Sequence, residues 1–184
     1  MDQQYRCCCV QSIDGKTFRN TRYCNGFTSK YVTRLAENLY TIGESLNASF
    51  VITNSRRTPK KPLDTFRNIL KDREFAFHDW QDSGRDAYLG LLSISDLLLI
   101  TGDSLSMVTE ATITGKPIYV TLDSDAMELC HLESMSRFIE GGYVQPIEDF
   151  GIRSNKSKIL NTTEIIGLKI LERVKNSESF KNSI

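Results

Sequence analysis

The feature that most constrains the fold is a strand-like run followed by a helix-like run, repeated four times between residues 5 and 122. "YRCCCVQSI" (5–13) has strand composition, and a loop containing Gly15 and Gly26 follows it. "SKYVTRLAENLYTIGESL" then sets Val32, Leu35, Ala36, Leu39, Ile42 and Leu46 at helical spacing, with Ser29 as a cap. "SFVITNS" (49–55) is a short apolar run, and "TPKKPLDTFRNILKD" resumes helical spacing through Phe66, Ile69 and Leu70. "EFAFHDW" (74–80) alternates like a strand, "DAYLGLLSIS" (86–95) reads as a helix, and "DLLLIT" (96–101) as a buried strand. "TGDSLSMVTEATITG" supplies a fourth helix and "KPIYVTL" (116–122) a fifth strand.

Short strands separated by helices favour a parallel sheet covered on both faces. Right-handed crossovers make it an α/β, doubly wound, mostly parallel Rossmann-like sheet of about five or six strands. "HLESMSRFIEGG" reads as a helix stopped by Gly141 and Gly142, and "TTEIIGLKILERVKN" as a last helix. Residues 1–176 are therefore expected to form a single domain and 177–184 a frayed tail.

Composition narrows the function classes. The 184 residues, 40% of them hydrophobic, suffice for one core. Twenty-three basic residues balance twenty-three acidic ones, so no global field draws the chain to nucleic acid, and membrane association is at most peripheral. Any anion site must be local. Cys7, Cys8, Cys9, Cys24 and Cys130 form neither a disulfide framework nor a paired zinc motif, which favours a reducing compartment, and the strand cysteines read as small buried hydrophobes rather than redox groups. The best apolar stretch, "LLSISDLLLI", is short and carries Asp96, which with the lack of a leader points to a cytoplasmic protein. Neither a metal site nor a cofactor is expected.

In sheets of this kind ligands bind beyond the carboxyl ends of the strands, here residues 13–28, 54–62, 79–86, 101–106 and 122–130. Gly102, Asp103 and Ser104 precede the fourth helix, so the amides of residues 104–106 would face that edge and suit a phosphate. Ser104 and Ser106 would add hydroxyls, with Asp103 turned to the backbone as the cap. Glu110, four residues after Ser106 on the same face, would sit roughly 10 Å along the axis from Asp103, suited to a ribose diol or simply exposed to water. Arg56, Arg57, Lys60 and Lys61, broken by Pro59 and Pro62, form a basic loop that is either a phosphate clamp or a solvated surface. His78 with Asp79 and Asp82 would suit a metal or acid–base group, or merely water at a strand end, whereas His131 reads as structural. Trp80 would stack on a base or pack under the third helix. No serine or cysteine has the setting of a nucleophile elbow, so no catalytic residue is assigned.

"SRRTP" at 55–59 and "TGDSLSMVTEATITGKPIYV" at 101–120 resemble the two signature segments of the mitochondrial fission "elongated mitochondria" family, some of whose bacterial members are labelled nucleoside-diphosphate-sugar epimerases. The element order is also similar to the C-terminal half of GT-B glycosyltransferases, in which a helix glutamate five residues before Gly-x-Pro holds the nucleotide ribose; Glu110, Gly115 and Pro117 match that spacing. The likeness covers residues 49–145 best. It implies that Ser55, Arg56, Arg57 and Thr58 contact the diphosphate, with Asp103, Ser104, Leu105 and Ser106 at the helix start and Glu110 on the ribose. Tyr88 is the base contact it suggests, although Asp86 and Ala87 stand where the family usually has Asn-Pro. "VQSIDGK" departs from the family's glycine-rich first turn.

The expected function is recognition of a nucleoside-diphosphate sugar. In GT-B enzymes a preceding domain supplies the acceptor site and base, so glycosyltransferase-like or epimerase-like turnover would need an N-terminal domain. The alternatives are an interaction module of the same fold in membrane or organelle dynamics, a homo-oligomer, or a fragment of a split two-domain protein.

Overall fold

Apolar runs of four or five residues become strands wherever helices cover them, and the computed structural model shows five such runs. It describes residues 6–10, 28–54, 61–72, 75–124, 127–151 and 157–181. The order is β1 (Arg6–Val10), α1 (Ser29–Leu46), β2 (Ser49–Thr53), α2 (Lys61–Ile69), β3 (Phe75–His78), α3 (Trp80–Ile94) and β4 (Leu97–Thr101). There follow α4 (Leu105–Thr112), β5 (Ile118–Thr121), α5 (Leu129–Glu140), a short β6 (Gln145–Pro146), a 3-10 turn at Ile147–Asp149, and α6 (Thr162–Lys181).

The chain is thus α/β with parallel strands, as its alternation predicts. Its strands pair in the order β3-β2-β1-β4-β5-β6, and β1 pairs with both β2 and β4. The remaining pairs, β2 with β3, β4 with β5 and β5 with β6, are also parallel. Every residue of β4 and β5 is buried, which explains why both read as unbroken apolar runs rather than alternating ones. Successive side chains of β4 enter different cores. Leu97 and Leu99 join Val32, Leu35, Leu39, Phe50, Ile52, Phe66 and Tyr119, whereas Leu98 and Ile100 join Tyr88, Leu92, Val108, Ile118, Val120 and Met135.

Several boundaries differ from the pattern. Thr28, not Ser29, caps α1, its hydroxyl accepting from Tyr31 N at 3.2 Å. α3 begins at Trp80 rather than near residue 86, because Asp79 caps it and accepts from Gln81 N at 3.1 Å. Trp80 therefore opens a helix instead of ending a strand. α6 continues to Lys181, past the point where a frayed tail was expected. Its Ile165, Ile166, Leu168, Ile170, Leu171 and Val174 are all exposed. None of the helices, among the described residues, is long and apolar enough to cross a membrane.

Candidate functional site

The carboxyl edge of the sheet collects most of the buried polar side chains among the described residues. Of the buried polar residues among those described, Thr53, Asn54, Thr101, Ser104 and Thr121 all stand at strand ends on this edge or directly after them. Buried polar groups persist with partners, and here Thr53 and Asn54 bond to the end of β3 while Thr121 bonds to α1.

At the β2–β3 side, Thr53 Oγ1 lies 3.1 Å from His78 Nδ1. Asn54 Nδ2 donates to Asp79 Oδ1 at 3.2 Å, and Asn54 Oδ1 accepts from Trp80 N at 2.7 Å. His78 and Asp79 are thereby engaged in joining strand ends and starting α3. The metal or acid–base role considered for them finds both already committed to this framework, and the side chain of Asp82 lies outside the described residues.

At the β5 side, the Tyr31 hydroxyl and Thr121 Oγ1 are hydrogen-bonded at 2.5 Å, and Arg34 donates to Asp123 Oδ2 at 2.5 Å. The Arg34 guanidinium also lies 5.9 Å from the centre of the Tyr31 ring. Tyr31 and Arg34, one turn apart on α1, thus tie that helix to the end of β5. Sequence reasoning missed this group, since it read α1 only for its apolar positions; the signal was a polar-tipped tyrosine and an arginine at i, i+3 in the first turns.

The start of α4 lies between these two clusters. Gly102 N donates to Thr121 O at 3.2 Å, and a Cβ at Gly102 would stand 2.6 Å from that oxygen and 2.9 Å from the Met127 methyl. Glycine is required here by the approach of two chain segments. Ser104, not Asp103, occupies the cap position, and its side chain makes no capping bond; Ser104 Oγ instead faces Ser106 Oγ at 3.4 Å. The first bond within the helix runs from Val108 N to Ser104 O at 3.1 Å, so the amides of the first turn precede the helical ladder. Ser106 is exposed, whereas Leu105 is half-buried against the second core and offers its backbone rather than its side chain.

Glu110 is half-buried on the same helix, a turn beyond Ser106. It lines a groove of about 500 Å³ between α3 and α4 with Leu89, Leu92, Ser93, Ile113, Thr114 and Lys116. Lys116 Nζ closes one end by donating to the carbonyls of Leu92 and Ser93, at 2.7 and 2.5 Å. Gly115 adopts φ +66°, so the glycine of the "GKP" turn serves the backbone. Tyr88 is 3% exposed and its hydroxyl donates to Met107 O at 3.2 Å, which makes it a support for α4 rather than a stacking platform. Trp80 is half-buried at the start of α3. Ser55, Arg56, Arg57 and Thr58, with Lys60, lie outside the described residues.

A sequence model of the family described as mitochondrial fission ELM1 matches residues 20–174. The chain is 33% identical over 101 residues to the mitochondrial fission protein ELM1 of Arabidopsis thaliana, a match covering 55% of this chain and 22% of that protein. It is 29% identical over 96 residues to the uncharacterized protein RP120 of Rickettsia prowazekii (strain Madrid E), covering 50% and 26% respectively. The matched stretch is about a quarter of each relative's length or less. No solved structure is a significant match.

Proposed function

Because this chain belongs to the mitochondrial fission ELM1 family, we propose that it is a fission-related protein whose sheet edge binds a nucleoside diphosphate, presented as a nucleoside-diphosphate sugar. On this reading the six strands form one doubly wound layer of the kind found in the C-terminal half of GT-B glycosyltransferases. The observation that carries the proposal is the start of α4, where a helix N-terminus, a Ser104 whose side chain makes no capping bond and an exposed Ser106 meet at the carboxyl edge. Such a terminus favours a phosphate through its amides and the positive end of its dipole.

Glu110 extends the reading along the helix. It lies about 9 Å from Ser104 at 1.5 Å per residue, a span suited to the step from a diphosphate to its ribose. Its carboxylate would accept from the ribose diol, and the apolar side of the groove, Leu89, Leu92 and Ile113, would take the base. Arg56 and Arg57, which follow Asn54 closely in sequence, would complete the diphosphate clamp as planar bidentate donors.

Thermal unfolding with millimolar UDP, GDP and UDP-N-acetylglucosamine tests this. A ligand at a hundred times its dissociation constant adds about 2.7 kcal/mol, a rise of several degrees for a domain of this size. The rise should appear with one nucleotide and vanish in Arg57→Ala and Glu110→Ala. Equal shifts in wild type and both variants would refute the assignment. The exposed apolar side chains of α6 favour a second reading, an interaction module, which absence of any nucleotide effect would promote.

A further inference from the structure

At the start of α5, three side chains with metal-binding atoms converge. Glu128 occupies the N-cap position, and Cys130 and His131 lie in the first turn. Their donor atoms all lie within 4.8 Å of one another, and the Cys130 thiol donates to Glu128 Oε2 at 3.6 Å. A tetrahedral zinc ion with Zn–S near 2.3 Å and Zn–O near 2.1 Å places sulfur and oxygen about 3.6 Å apart. Glu128, although it is the cap residue, makes no side-chain capping bond; its carboxylate is turned to the thiol instead. Cys130 is exposed while Glu128 and His131 are half-buried, so the donors open to solvent on one side, where water would complete the coordination.

We infer that Glu128, Cys130 and His131 form a site for one zinc ion or a similar borderline divalent cation. One sulfur, one nitrogen and one oxygen donor suit such an ion, whereas calcium and magnesium prefer oxygen alone. The positive end of the α5 dipole opposes a cation, and two anionic ligands offset it. On binding, the thiol proton leaves to solvent, a sulfur–metal bond forms and no electron is transferred. The residues sit too close in sequence, as Glu-x-Cys-His, to show the paired spacing by which zinc motifs are recognised. The site is independent of the nucleotide reading, and its test reads the metal alone.

The test is a cobalt(II) titration of the full chain under non-metal-binding reducing conditions, followed by imidazole NMR with zinc. One equivalent should produce a thiolate-to-cobalt absorption band that Cys130→Ser abolishes, while Glu128→Gln and His131→Ala weaken affinity by at least about tenfold. With only two histidines in the chain, His131 should shift on zinc addition and His78 should not. A band that survives in Cys130→Ser, or a His131 resonance unmoved at saturating zinc, would overturn the inference. The wild-type NMR arm decides the matter even if a variant fails to fold.

Discussion

Gly102 shows how a single residue joins fold to site. Its missing side chain lets β4 turn against Thr121 and Met127, which aims the start of α4 at the carboxyl edge. Gly102→Ala should therefore destabilise the chain by about 1–3 kcal/mol in urea unfolding, as overpacked positions do. Tyr31→Phe removes the partner of the buried Thr121 hydroxyl and should cost about 1 kcal/mol without moving the helix. The sequence made Gly102, Ser104 and Ser106 legible as a strand-to-helix junction, because a glycine and two serines stand where an apolar strand gives way to a helix. Tyr31, Arg34 and Asp123 were not legible, since their partners lie some ninety residues away and no local pattern announces such a pairing.

Elements were legible where one face is apolar and blurred where a cap decides. α1 follows its stripe from Ser29 to Leu46, but α3 starts at Trp80 because the Asp79 side chain and Asn54 supply its first amides with acceptors. That shift puts Trp80, expected either to stack on a base or to pack under the third helix, at the start of α3, while burial makes Tyr88 a brace for α4. The helices should also differ in what truncation does. Leu39→Ala, at a fully buried α1 position, should cost about 2–5 kcal/mol, whereas Leu168→Ala on α6 should stay within about 0.5 kcal/mol, both read from denaturant midpoints. β5 adds a pH dependence. Burial first, and the Asp149 charge second, raise the Tyr119 pKa above the usual tyrosine value. Stability from the neutral phenol is then full below about pH 10 and is lost as pH rises through the raised value. Urea midpoints should fall at alkaline pH in the wild type and fall less steeply in Tyr119→Phe.

At the scale of the whole molecule, the sheet does one thing for function: it brings separate polar loops to a single edge. The alternation of strands and helices predicted that edge, and the described residues place α4, the Asn54–Asp79 cluster and the Tyr31–Arg34 cluster around it. The position of Glu110 was less legible, because helical spacing gives its distance from Ser106 but not the groove that α3 builds beside it. The central claim is that a diphosphate seats on the first turn of α4. Backbone amide NMR during titration with UDP and GDP tests it most directly. The account predicts that the amides of Leu105, Ser106 and Met107 shift first and furthest, with Glu110 following. Saturable binding that leaves those amides unmoved, or no binding by the folded chain at millimolar nucleotide, would contradict it.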